Sequence, residues 1–155
     1  MRFFSFIESS HEEILKEWDS FAKTLFPKHV ERYLRRDHAA EMLTAISTDM
    51  QTAQSGQEQI DKSKGIVSPY RTPNKAASVH GVTRSIDGLT VSQLASEFRA
   101  LRAVILRLWL PTNKVMSVEV INDIIRFNEA IDEAVADSIS THSDDRLKAF
   151  QPSLQ

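Results

Sequence analysis

Apolar residues recur along this chain at intervals of three and four, the spacing that keeps one face of an α-helix against a core. Between residues 3 and 26 the stripe is Phe4, Ile7, His11, Ile14, Trp18, Phe21 and Leu25, and Pro27 ends it. Ser10 with Glu13 has the form of a capping box, which leaves open a break at Ser9 and Ser10 and a separate short first helix. A second helix is expected from Asp37, a good N-cap, carrying Met42, Leu43, Ile46 and Met50 inward. Ser55 with Glu58 opens a short helix that Gly65 would terminate. The segment IVSPYRTPN, with Pro69 and Pro73, reads as an irregular loop. Thr72 then stands as a cap before a proline at the first helical position, beginning a helix that runs to about Ile86, where Asp87-Gly88 breaks it.

The most regular pattern follows. Thr90 with Gln93 forms a capping box, and Val91, Leu94, Phe98, Leu101, Ile105 and Leu108 continue the stripe as far as Pro111. From Ser117 a last helix carries Val120, Ile121, Ile124, Phe127, Ile131 and Val135 to about Ser140. Residues 141 to 155 show no core stripe and read as a C-terminal tail or linker. No alternating strand pattern and no internal repeat occurs, so the expected fold is all-α, one domain over residues 1 to 140 built as a bundle of five or six helices.

Composition narrows the class. A chain of 155 residues with 41% hydrophobic and 26% charged positions has enough apolar material for one real core. The formal charge of -2, from 19 basic and 21 acidic residues, gives no field that favours nucleic acid or an anionic membrane. The cluster Lys28, Arg32, Arg35 and Arg36 reads as a solvated face. The absence of cysteine excludes disulfides, thiol catalysis and Cys-ligated metals, and suits a reducing cytoplasm. RFFSFI lacks the apolar core and cleavage site of a signal peptide, and no run approaches the ~20 apolar residues of a spanning helix. The expected protein is cytoplasmic and not inserted in a membrane.

One stretch does not obey its own pattern. EFRALRAVILRLW at 97 to 109 is apolar enough for a buried helix yet carries Glu97, Arg99, Arg102 and Arg107. At about 100° per residue the three arginines fall on or beside the face away from Leu101, Ile105 and Leu108, whereas Glu97 projects into the apolar arc. In the last helix the same plot puts Asn128 within the arc of Ile121, Ile124, Ile131 and Val135. An antiparallel hairpin turning near Asn113 would bring Glu97 and Asn128 level. A carboxylate withdrawn from water needs donors or changes its protonation, and Asn128 and His80 are the nearby candidates. Three readings stay open: a polar pair that fixes helix register, the polar end of a small-molecule pocket or core switch, or a Glu97 that reaches solvent or an interface.

Catalytic chemistry is poorly represented. Glu8 and His11 have the spacing of one di-iron motif but lack its second copy, and His11-Glu12 lacks the second histidine of a zinc protease. Thr141, His142, Ser143 and Asp144 sit side by side in the expected tail, without the geometry of a nucleophile and base. Of the five histidines, only His11 and His80 are expected to face a core, which leaves haem binding as a minor alternative. No enzyme, metal or cofactor is expected.

KSKG at 62 to 65, HGVTR at 80 to 84, EFRALRAVILRLW at 97 to 109 and RFNEAIDEA at 126 to 134 together resemble the N-terminal domain of RsbR-type stress co-antagonists and related bacterial sensor histidine kinases. The similarity spans roughly residues 3 to 140. It implies a globin-like helical domain without haem, homodimeric, that regulates an output module or partner in two-component or stress-response signalling. His80, Gly81, Arg84, Glu97, Arg102, Trp109, Arg126, Asn128 and Glu129 match the recurrent positions of that pattern, while Phe98 stands where tyrosine is common. The residues singled out as a buried polar switch or ligand site are Glu97, Asn128, His80 and Trp109. His11, Arg84, Arg102 and Arg126 are singled out for structural or interface roles. A plain interaction module using an exposed apolar stripe of the first helix is the competing expectation.

Overall fold

Where apolar residues recur every three or four positions the chain is helical, and the left-handed Gly88 ends one of these helices. The computed structural model of the chain describes residues 1–24, 32–51, 57, 60–61, 64 and 75–150. Among them five long helices follow one another: α1 (Phe3–Ala22), α2 (Arg32–Gln51), α3 (Lys75–Ile86), α4 (Val91–Trp109) and α5 (Val118–Phe150), with a 3-10 turn over Leu110–Thr112. The expected all-α single domain is observed. The box at Ser55 and Glu58, Gly65, the IVSPYRTPN loop, the Thr72-Pro73 start, Leu25, Pro27, His29 and the side chains of His38 and of the basic cluster lie outside the described residues.

Helix α1 runs unbroken through Ser9 and Ser10. Its buried face is Phe3, Phe6, Ile7, Ile14, Leu15, Trp18 and Ala22, so the helix is rotated from the expected stripe and Phe4 (43% exposed) and Phe21 (38%) flank it. The rotation is set at the N-terminus. Asp123 of α5 accepts hydrogen bonds from Arg2 Nε (2.7 Å) and Nη2 (2.8 Å) and from the Phe3 backbone N–H (3.1 Å), one of the donors a helix start leaves unpaired. That turns Phe3 onto Trp109 and Phe127, with ring centroids 5.1 and 5.0 Å away.

Helix α2 begins a turn before Asp37 and buries Met42, Leu43 and Ile46. Near its C-terminus the Asp49 carbonyl accepts a bond of 2.7 Å from Arg126 of α5, a cation at the negative end of a helix. Thr90 caps α4 through both bonds of the expected box, the Gln93 N–H donating to Thr90 Oγ1 (3.1 Å) and the Thr90 N–H to Gln93 Oε1 (2.9 Å). Ser117 accepts from the Val120 N–H at 3.2 Å and starts α5.

The largest departure is at the end of the chain. Instead of stopping near Ser140, α5 continues to Phe150, and His142, expected in a tail, is only 3% exposed. Polar rather than apolar contacts hold this extension, which is why hydropathy missed it. Ser138 Oγ donates to the Ala77 carbonyl (2.6 Å), Thr141 Oγ1 to the Ser78 carbonyl (2.8 Å), and His142 Nε2 lies 2.6 Å from the Leu89 carbonyl. Such bonds need the two backbones close together, and Gly81 permits it. A Cβ there would fall well inside 3.0 Å of the Ser138 carbonyl and the Thr141 hydroxyl.

Gly81→Ala is therefore expected to destabilise the fold by at least the 1–3 kcal/mol typical of an overpacked core, roughly, in denaturant unfolding. A second expectation concerns acid. Burial alone would raise the Asp123 carboxyl, but the Arg2 and Phe3 hydrogen bonds and the guanidinium charge outweigh it and hold its pKa below the ordinary value. A lowered folded pKa contributes stability that is present above the ordinary carboxylate range and lost as pH falls through the lowered value. Amide exchange in the first turn of α1 should accelerate over that acid window in the wild type. In Asp123→Asn it should already be fast at neutral pH and show no such step.

Candidate functional site

Helix α3 turns the usual order of burial inside out. Its inward face is Ala77, His80, Gly81, Arg84 and Ser85, while Val79 is 43% and Ile86 73% exposed. Small residues at Ala77 and Gly81 let α3 approach α5, and the two long polar side chains on the same face reach across to α4. There they meet Glu97.

Glu97 is 2% exposed, on the buried arc of α4 with Leu94, Leu101 and Val104. Arg84, fully buried, donates from Nε to Glu97 Oε1 at 2.9 Å and Oε2 at 3.2 Å. His80 Nε2 lies 3.2 Å from Oε2, and the His80 ring packs edge-on against Phe98 with centroids 5.4 Å apart. Arg84 Nη1 also reaches Asp87 Oδ2 at 3.4 Å in the turn after α3. Trp18 Nε1 of α1 donates to the Glu97 carbonyl at 3.2 Å. Three helices thus converge on one residue.

Charge-assisted bonds of this kind are short and directional, and a buried carboxylate is tolerable only because a guanidinium offsets its desolvation. The arrangement can hold α3 and α4 in one register, and it can respond to anything that competes for Arg84 or neutralises Glu97. It supplies little else. A void beside the carboxylate, lined by Trp18, Ala39, Met42, His80, Glu97, Phe98 and Leu101, measures about 10 Å³. That is the space of about one water, far below the roughly 300–1,000 Å³ of a small-molecule pocket. Among the described residues no three His, Cys, Asp or Glu side chains gather to hold a metal ion.

Of the residues singled out from sequence, Glu97 and His80 meet here, and Arg84, singled out for a structural or interface role, joins them as the main partner. Asn128 does not. It is half-buried and makes no hydrogen bond to the carboxylate. The buried arc of α5 is Val120, Phe127, Ala130, Ile131, Ala134 and Ser138, and Asn128 lies roughly 100° round the helix from its centre. Ile121, which is 44% exposed, had drawn the expected arc toward it.

Trp109 is also elsewhere, 12 residues along α4 and so roughly 18 Å from Glu97. Its Nε1 donates to the Met1 carbonyl at 2.8 Å and ties down the N-terminus. Arg102 pairs with Asp132 and Arg107 with Glu17, while Arg99 is exposed, as their outward positions predict. Arg126 serves the end of α2, and His11 is half-buried. Trp18 and His142 were missed as polar partners. Neither bond has a local sequence signal, because each reaches a backbone carbonyl on another helix. Arg84 could have been found by plotting α3, where 77, 80, 81 and 84 share one face and Arg84 is the only cation on it.

No family model matches the sequence, and neither the curated proteins nor the solved structures yield a match.

Removing one partner of the buried pair leaves the other charge unpaired. Glu97→Ala or Arg84→Ala should each cost about 3–5 kcal/mol. Arg84→Met combined with Glu97→Leu should recover most of that loss, because an apolar pair of similar volume needs no compensating charge. Unfolding of Arg84→Met alone, Glu97→Leu alone and the double gives the cycle, and additive losses would contradict the pairing.

Proposed function

We propose that this chain is a non-enzymatic sensory or regulatory domain of a bacterial signal-transduction protein, similar to the N-terminal domains of RsbR-type stress co-antagonists and related sensor histidine kinases, with the haem-free globin-like arrangement that the resemblance implies. One observation carries the reading. His80, Gly81, Arg84 and Glu97, taken from two separate motifs of the resemblance, belong to one buried polar cluster and the helix crossing beside it. A single-register cluster of buried charge is a poor source of stability and a good source of two distinguishable packings.

The output in this reading is α5. It is 33 residues long, and its C-terminal part lies against α3 beside the cluster, from which a kinase or other effector module or a partner protein would receive the change. The domain acts as a homodimer. Val118 (71% exposed), Ile121 and Ile125 lie at three- and four-residue spacing on the open side of α5, continuous with Val115 (81%) and Met116 (50%) of the preceding turn. Asn122 on the same side is uncharged, and the exposed Asp132 further along it is paired with Arg102. The alternative with haem is disfavoured by the small void and by the engagement of His80 Nε2 with Glu97. A plain interaction module is favoured by the same apolar stripe on α5. Of the expected first-helix stripe, Ile7, Ile14 and Trp18 are buried, while Phe4 and Phe21 are exposed.

Light scattering across concentration is expected to give a dimer, and Ile121→Asp with Ile125→Asp a folded monomer. A wild-type monomer at every concentration would remove the dimeric part of the proposal. Fusing the chain in helical phase to the phosphoacceptor helix of a histidine kinase core tests the rest. Glu97→Gln should alter autophosphorylation several-fold, and an unchanged rate in a folded fusion would overturn the sensory reading.

A further inference from the structure

The polar cluster and the end of α5 are joined by a short continuous set of bonds, and Arg84 stands at its centre. Its side chain holds Glu97 on α4 and, through Nη1, Asp87 in the α3–α4 turn. Its carbonyl accepts the Leu89 N–H at 3.0 Å, and the Ser85 carbonyl accepts the Gly88 N–H at 3.0 Å. Gly88 closes this turn at φ +82°, the left-handed region that other residues rarely occupy. The turn fixes the direction of the Leu89 carbonyl, and that carbonyl is the acceptor for His142 Nε2 at 2.6 Å. Leu89 and His142 are buried, at 2% and 3% exposure. Beyond His142, Asp144, Arg146, Leu147 and Lys148 are exposed. The last anchoring of α5 among these described side chains is thus to the turn that Arg84 organises.

We infer that Arg84 couples the Glu97 carboxylate to the C-terminal part of α5 through the α3–α4 turn, so that losing the Arg84–Glu97 contact loosens the Leu89–His142 contact and lets residues 138 to 148 detach from α3. The inference rests on the regulatory reading above and specifies its route. The physical reason is that one guanidinium serves two carboxylates. Withdrawing Glu97 leaves Arg84 to reorient toward Asp87, and any shift of its backbone moves the Leu89 N–H and carbonyl together. Ser138 and Thr141 add hydroxyl bonds to α3 carbonyls, each worth about 0.5–1.5 kcal/mol in general. Arg84 is a positioning residue here, and the coupling acts through contiguous hydrogen bonds and ion pairs rather than through distance.

Native-state amide exchange on the full chain reads the coupling directly. Glu97→Gln, which keeps the shape and removes the charge, and Asp87→Asn, at the half-buried turn, should each speed exchange of residues 138–148 relative to α1 by about tenfold, the equivalent of one buried hydrogen bond. Ile14→Val, which weakens the core far from the turn, should leave that ratio unchanged. If Glu97→Gln fails to fold, Asp87→Asn carries the test alone. Combining Asp87→Asn with His142→Phe should give no further acceleration beyond His142→Phe alone. Effects that multiply to within about twofold, the behaviour of independent sites, would overturn the route. Neither measurement needs a partner protein. Additivity therefore removes this route and leaves the regulatory reading standing, whereas an unresponsive kinase fusion removes that reading and leaves the coupling intact.

Discussion

The bond between Arg84 and Glu97 is the constraint on which the remaining packing depends. Neither charge touches solvent, and each is acceptable inside the bundle only while the other is present. Their geometry requires α3 to present a polar face to α4, and α3 can do so only because its other inward residues are small. Ala77 and Gly81 bring its backbone against α5, where hydroxyls and a histidine replace the usual interdigitated aliphatics. The apolar residues of α3 are left on the outside as a consequence.

The rest of the core is conventional and supports that arrangement from both sides. Trp18 packs from α1 and donates to the Glu97 carbonyl, and Met42 of α2 closes the floor beside it. At the opposite end of α4 a second group of contacts joins Trp109, Phe3 and Phe127 and ties the N-terminus to α5 through Arg2 and Asp123. The two ends of α5 are therefore fastened differently. The first is held by aromatic burial and a paired carboxylate, the last by hydrogen bonds to carbonyls.

The proposed regulatory reading draws on this asymmetry. The buried carboxylate is held by the guanidinium and lies 3.2 Å from the imidazole, and the adjoining void has the size of about one water. In that reading the cluster governs the relation between helices, and α5 is the element that carries the change.

The sequence by itself determined the helices with regular apolar stripes and explicit caps. The Thr90–Gln93 box, the Ser117 start, the break at Asp87-Gly88 and the inward residues Leu94, Phe98, Leu101 and Ile105 follow from local spacing and local hydrogen bonding. It also marked Glu97 as misplaced, because a charge inside an apolar arc is visible on one helix alone. Only the tertiary structure decided who answers that charge. Asn128 was favoured by an arc drawn through Ile121, Ile124, Ile131 and Val135, but Ile121 faces outward, and the partner is a cation on a helix whose burial reverses hydropathy. The length of α5 was hidden for the same reason. Backbone carbonyls carry no residue identity, so a helix held by bonds to them leaves no periodic signal in the chain that makes them.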